Sequence, residues 1–508
     1  MISKILTVAF QVIEGIPVEV QVMLSPGRIG IQIVGLPDKA VIESREKIQA
    51  ALYACGLALP NKRITINLAP ADLPKEGSHF DLPIILALMA SIKAINCESL
   101  SNYIALGEIN LDGSLAIING VLPAALCAKK LNKGLICPKI CGSEAALVSE
   151  DLNIVAADNL IELINHLNKR HIISRPIRSH YKATDNQPDL ADIKGQKAVK
   201  RALEIAAAGG HNLLMMGPPG AGKSMLASCL PSILPPLSLE EAIEVSMIYS
   251  IPGKLYNGNY FLQERPFRNP HYSATTAALI GGGTRALPGE ASLAHNGVLF
   301  LDELPEFSPH TLDALRQPLE TGKCVIARAN RKVSYPARIQ LIAAMNPCRC
   351  GVTMKDDNLC LRGPHCAIEY QSRISAPLMD RIDIYIEVPA VPLEDLFSHN
   401  NSESSITVAD RVLIARNRQK ERLEKMGVTS TCNALCSAKL IEQIAVLDSK
   451  SSSIIKQSAQ KMLFSARGYH KILKVAKTIA DLDSSEIIKT IHIAEAIAYR
   501  KKSIYNIK

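Results

Sequence analysis

The stretch NLLMMGPPGAGKSMLASCL, residues 212–230, decides the fold. Its run LLMM reads as a buried strand and MLASCL as a helix. Between them lie Gly217, Pro218, Pro219, Gly220, Ala221, Gly222, Lys223 and Ser224, with the spacing G-x-x-x-x-G-K-[ST]. A strand before and a helix after are the context that a phosphate-binding loop requires. The glycines let the backbone curl so that successive N–H groups, with the helix N-terminus behind them, point at phosphate oxygens. Lys223 is placed to reach the β- and γ-phosphates of ATP, and Ser224 to ligate Mg²⁺.

Outward from this loop, GVLFLDE (297–303) places four apolar residues before Asp302 and Glu303. Asp302 is expected to hold the Mg²⁺ through water, and Glu303 to orient or deprotonate the attacking water. The run LIAAMNP then ends at Asn346, an amide suited to positioning the same water. NLLMMG, GVLFLDE and RIQLIAAMN are apolar runs with polar or Gly ends, separated by helix-length segments. They predict parallel strands carrying functional residues at their carboxyl ends, hence an α/β fold class.

With these motifs the chain resembles the AAA+ ATPases, in the branch containing magnesium chelatases and minichromosome-maintenance helicases. IKGQ, from Ile193 to Gln196, is similar to the adenine-side motif of that superfamily, and Asn346 to its sensor 1. SRISAPLMDRIDIYIEV (372–388) resembles the family stretch SRxSGPLLDRIDL and puts Arg381 at the arginine-finger position, reaching the nucleotide of the next subunit. FSARGYHKILKVAKTIADL (464–482) resembles the sensor 2 helix, with Arg467 at the matching position. RPFRNPHYSATTAALIGGGTRALPGEASLAHNGVLFLDELPEF (265–307) is nearly word for word the signature of the YifB/ComM family of magnesium-chelatase-like proteins. This resemblance covers essentially the whole chain. It implies a homo-hexameric ATPase acting on DNA, with branch migration in natural transformation known in the family.

Three N-terminal segments, at 35–52, 64–89 and 106–130, resemble the Lon protease (S5-like) domain, which uses a serine–lysine dyad. Here PKEGSHFD puts His79 at the serine position, with Ser78 one residue early, and Leu122 at the lysine position. A serine nucleophile needs an adjacent base, and Leu122 supplies none; Lys129 and Lys130 lie two helical turns on. A non-proteolytic domain for assembly or regulation is expected. Strands are predicted there at IPVEVQVML, RIGIQIVGL, KRITINLA and LAIING, and helices at AVIESREKIQAALYACG, FDLPIILALMASIKA and LPAALCAKKL.

The expected domains are a Lon-protease-like α/β domain at 1–168, a basic linker at 169–188, an AAA+ core at 189–395 and an all-α lid at 405–508. The chain has 508 residues, 47% hydrophobic and 21% charged, which excludes global disorder. Residues 411–508 carry 19 Lys or Arg against 8 Asp or Glu, so the net +9 belongs to the lid. No apolar run reaches the length of a membrane span and the start lacks a cleavage site, so a cytoplasmic address without membrane is expected.

Thirteen cysteines without a signal read as free thiols or a metal site. Cys348, Cys350, Cys360 and Cys366, spaced C-x-C-x₉-C-x₅-C among polar and Gly residues, suggest structural Zn²⁺, with His365 as a substitute ligand. CVIARANRKVSYPARIQL (324–341) reads as a hairpin. In the related helicases a hairpin here enters the channel, which makes Arg328, Arg331 and Lys332 candidate contacts to DNA phosphates. The Gly-rich IGGGTRALPGE, with Arg285 at its centre, resembles a second pore loop. No base-reading pairs are present, so branched or single-stranded DNA without sequence preference is the expected partner. Lys471, Lys474 and Lys477 read either as a second DNA surface or as a solvated face. The rival functions are a chelatase-type remodeller of a protein partner and an ATP-dependent protease.

Overall fold

The computed structural model describes residues 2–11, 14–177, 188–250, 262, 264–283, 286–328, 331–350, 364–392, 403–428, 431–462 and 465–500. The chain divides into two compact units, residues 1–182 with 239–263, and 183–238 with 264–508.

The first unit is built on a seven-stranded mixed sheet in the order Gly30–Val34, Arg63–Ala69, Glu14–Ser25, Ile2–Gln11, Tyr103–Ala105, Gly134–Pro138 and Ile154–Ala157. Alternation drives its centre: Val18, Val20 and Val22 all face inward, and Val20 and Val22 pair with Leu68 and Ile66 of the neighbouring strand. The helix Asp81–Ser91 is apolar on nearly every side and is buried from Asp81 to Ala90, as a helix threaded through a core must be. The helix Lys39–Ala54 starts where the Asp38 carboxylate accepts the Val41 N–H at 2.8 Å. LAIING differs from expectation: only Leu115–Ala116 is strand, in a small ribbon with Glu108–Ile109. The helix Leu239–Ser250 also belongs to this unit. Buried Ser250 accepts the Gly120 N–H at 3.0 Å and lies 3.4 Å from the Glu144 carboxylate, which burial pushes up to about 7.

The second unit holds a five-stranded parallel sheet in the order Phe267–Arg268, Val298–Leu301, Gln340–Met345, Leu213–Met216 and Ile384–Glu387. The strand that feeds the phosphate loop is thus separated from the acidic strand by the one that ends at Asn346. Met216 pairs with Met345 and Leu301 with Ala343, so the carboxyl ends of all three strands converge.

Helices Ser405–Lys425, Ala438–Ile444, Ser449–Met462, Ala466–Leu482 and Thr490–Ala498 complete this unit, so four helices follow the charged one where two or three were expected. Some of their basic residues are ties to other parts of this unit, while Arg418, Lys420, Lys425, Lys439, Lys450, Arg467 and Lys489 are exposed. Arg422 forks onto Asp481 with both contacts at 2.8 Å, and Arg411 reaches Glu204 at 2.6 Å. Both readings of the lysine trio are corrected here. Lys477 is 2% exposed and 3.1 Å from Asp481, Lys471 lies 3.0 Å from the buried Asp383, and Lys474 donates to the Ala434 carbonyl. Such lysines turn toward neighbouring elements of the unit because each finds an acceptor there, which offsets the cost of burying its charge.

Candidate nucleotide site

Gly217 leaves its strand donating to the Met345 carbonyl at 3.2 Å. A Cβ at this position would stand 2.2 Å from the Val388 carbonyl oxygen, so only glycine lets the loop pass between the strands. Gly220 and Gly222 adopt φ of +74° and +82°, and Gly222 hands directly into the helix Lys223–Ser228. The left-handed turns at these two glycines form the curl expected from the sequence.

Lys223 is 8% exposed, and its ammonium donates to the Gly217 and Pro218 carbonyls, both at 2.8 Å, and to Asn346 Oδ1 at 3.0 Å. Burial pulls its pKa down, while Asp302 and Glu303 act in the opposite direction. Ser224 donates to Asp302 Oδ2 at 2.5 Å. Glu303 is exposed with φ of +50°, and its N–H is capped by Asp302 Oδ1 at 2.9 Å. A non-glycine residue held in this region costs on the order of 1 kcal/mol. Pro219 to Met225, Asp302, Glu303, Met345 and Asn346 line a cleft of 420 Å³.

The residues fit a Mg²⁺–nucleotide. Ser224 Oγ and Asp302 Oδ2 are oxygen donors close enough to share one cation after a small separation. Ile193 is buried, and Gln196, at φ +53°, donates to the Pro389 carbonyl at 2.6 Å while its buried Oε1 has no partner among the described residues. An unpaired buried acceptor beside the loop suits the exocyclic amino group of adenine.

Arg381 and Arg467 do not line this cleft. Arg381 is 15% exposed and lies 3.0 Å from Glu320, an ion pair that the sequence offered no signal for. Arg467 is exposed in the first turn of the helix Ala466–Leu482, which Ser465 caps. The expected hairpin exists as Lys323–Arg328 paired with Arg331–Pro336, with Arg328 opposite Arg331; Lys332 follows in the second strand. Arg285 lies outside the described residues.

Cys348, Cys350 and Cys366 bring their sulfurs within 4.8 Å of one another, with Cys350 and Cys366 at 3.8 Å. The edge of a zinc–thiolate tetrahedron is about 3.8 Å for Zn–S bonds of about 2.3 Å, so these three residues fit the ion. Cys360 lies outside the described residues, and His365 is not part of the converging group. At the protease-like position His79 is buried between the Phe10 and Phe80 rings, its Nε2 2.9 Å from the Val8 carbonyl. Ser78 donates to Glu108 at 2.5 Å, Leu122 is fully buried, and Lys129 and Lys130 are exposed.

Residues 189–396 match the family model for magnesium chelatase, subunit ChlI; residues 20–140 match that for subunit ChlI of Mg-chelatase, and 402–500 that for the ChlI C-terminal segment. The chain is 44% identical over 491 residues to competence protein ComM of Haemophilus influenzae, covering 95% of this chain and 94% of that one. It is 42% identical over 485 residues to the uncharacterized protein YifB of Salmonella typhimurium, with the same coverage. Similarity to the magnesium-chelatase 38 kDa subunit of Rhodobacter capsulatus is 27% over 171 residues, 30% of this chain and 49% of that one.

Proposed function

The chain belongs to the YifB/ComM family of magnesium-chelatase-like AAA+ ATPases, and on that premise we propose that it is a cytoplasmic, homo-hexameric DNA motor. It hydrolyses ATP with Mg²⁺ and acts on branched or single-stranded DNA without sequence preference, as a helicase promoting branch migration in homologous recombination or natural transformation. One observation carries the reading: Lys223, Ser224, Asp302, Glu303 and Asn346, from three strands, meet in a single cleft. The hairpin and the similarity to a competence protein support DNA as the substrate.

Backbone N–H groups from Gly217 to Ser224 hold the phosphates, and Lys223 exchanges its carbonyl partners for the β- and γ-phosphate oxygens. Ser224 and Asp302 would hold Mg²⁺, which when bound would supply charge to offset that of the phosphates. Glu303 orients the attacking water and takes its proton, and the Asn346 amide holds the same water from the other side. Arg381 serves the nucleotide of a neighbouring subunit, and Arg467 acts from the lid. Arg328, Arg331, Lys332 and Arg285 contact the DNA backbone. Cys348, Cys350 and Cys366, with Cys360, hold a structural Zn²⁺. No described helix is long and apolar enough to cross a membrane.

A chelatase-type remodeller of a protein partner is the second reading, favoured by the magnesium-chelatase models that match three segments of the chain. A steady-state ATPase assay with forked DNA separates the two. Forked DNA is expected to stimulate hydrolysis, and Arg331→Glu with Lys332→Glu to remove that stimulation while nucleotide binding persists. Stimulation that survives the charge reversal, or none in the wild type, defeats the DNA reading.

A further inference from the structure

The arginine assigned to the neighbouring subunit's nucleotide is already engaged. Arg381 Nη2 stands 3.0 Å from Glu320 Oε1, with Arg381 15% exposed and Glu320 58% exposed. A guanidinium stabilises phosphate charge only as far as its own charge is uncompensated, and a carboxylate at this distance compensates it.

Glu320 sits at the end of the helix Arg316–Thr321, which Gly322 terminates at φ +67°; the first strand of the basic hairpin begins at Lys323. The joint is braced. Thr321 Oγ1 donates to the Gln317 carbonyl at 2.9 Å and accepts the Lys323 N–H at 3.3 Å, and the Gly322 carbonyl accepts the Ala337 N–H at 2.8 Å from beyond the second hairpin strand. These bonds tie the base of the hairpin to the helix end that carries Glu320. Glu320 also lines a 660 Å³ cleft together with Val325 and Ala327 of the hairpin and Gly281 and Gly282, where the Gly-rich segment begins. Both candidate DNA elements are rooted beside the carboxylate that holds Arg381.

We propose that Glu320 is a positioning residue that restrains Arg381 until DNA loads the hairpin, and then releases it toward the neighbouring subunit's ATP. This rests on the reading of Arg381 as a residue acting between subunits. A partly exposed ion pair is weak, which suits a restraint that must be reversible.

The test is steady-state ATPase of the full chain with and without forked DNA. Glu320→Gln is expected to raise the DNA-free kcat by about two- to fivefold, the population shift such a pair can exert, and to reduce DNA stimulation by the same factor, with KM for ATP unchanged. Glu320→Asp, which keeps the carboxylate, is expected to restore the restraint. Arg381→Ala is expected to lower kcat by about 10³-fold or more, and the double variant Glu320→Gln, Arg381→Ala to match it, since nothing remains to be released. If Arg381→Ala disables hydrolysis while Glu320→Gln keeps the wild-type DNA-free rate and stimulation, the restraint is overturned and the role of Arg381 stands. If Arg381→Ala hydrolyses normally, the inter-subunit reading itself has failed. A Glu320→Asp variant as fast as Glu320→Gln shows that the carboxylate is not what restrains, and overturns the proposal.

Discussion

Ser78 and Lys223 occupy matching local positions in the two units. Each follows a glycine with positive φ, Gly77 at +103° and Gly222 at +82°, and each opens a helical segment. Their surroundings then diverge. Beside Ser78 the His79 and Phe80 rings pack on one another, Leu122 is fully buried, and the Ser78 hydroxyl donates to the Glu108 carboxylate. Around Lys223 the cleft stays open, and the acceptors of its ammonium are two backbone carbonyls and one amide, all neutral. A turn that presents a reactive group is therefore not a site. The groups facing it decide, because a nucleophile needs a base and a phosphate needs uncompensated positive charge.

Four measurements test this contrast. The largest effect is expected at Glu303→Gln, which keeps the cleft and removes the base, lowering kcat for ATP by about 10²- to 10⁴-fold with binding retained. A variant hydrolysing at the wild-type rate would reduce the open cleft to a binding site.

The cysteines divide along the same line. In the first unit Cys141 is buried and pushed up to about 12, an inert thiol, whereas the second unit gathers three sulfurs. Protein purified without chelator is expected to carry about one equivalent of zinc, falling with Cys366→Ser to under a few tenths; wild type at that lower level discards the metal.

The closed region should instead reveal itself through pH. Burial pushes the His79 ring down to about 4, against about 6.5 in an unfolded chain. Between these values the unfolded state binds a proton that the native state does not. Stability is then full above about pH 6.5 and falls by up to about 3 kcal/mol as pH drops to about 4. Glu144, raised to about 7, acts in the opposite sense, so the quantity to measure is the difference between wild type and His79→Phe in denaturant unfolding. A difference that stays flat over this window would mean that the ring is not buried neutral.

The smallest effect is Ser78→Ala, which removes the bond to Glu108 at a cost of about 1 kcal/mol and leaves ATP hydrolysis unchanged. ATP-stimulated peptide cleavage that this substitution abolishes would turn the first unit back into a protease.

The strands of the nucleotide core were legible because each motif is local, an apolar run ending in residues whose types are set by phosphate chemistry. Phe267–Arg268 and Ile384–Glu387, which complete the same sheet, were not read as strands. Two residues carry no period, and a short segment becomes a strand only when a neighbour satisfies its backbone. The same reason hid Tyr103–Ala105 and Ile154–Ala157 in the first unit. Nothing local marks Leu239–Ser250, which follows the phosphate-loop helix in sequence, as a piece of the first unit. The composition of the C-terminal segment pointed outward to a polyanion, yet Lys477 and Arg422 turn inward to Asp481.

What could be read from the sequence alone is which groups stand at fixed short spacing: the glycine-rich turn with Lys223 and Ser224, the paired acids Asp302 and Glu303, the Asn346 amide, and a leucine, Leu122, where a lysine base was looked for. Those follow from residue type at fixed short spacing, where covalent geometry leaves little freedom. Which charges pair with one another is set by the packing of the elements. The Arg381–Glu320 and Lys471–Asp383 pairs join residues 61 and 88 positions apart. Pairing at that range depends on how whole elements pack, and no local pattern encodes it.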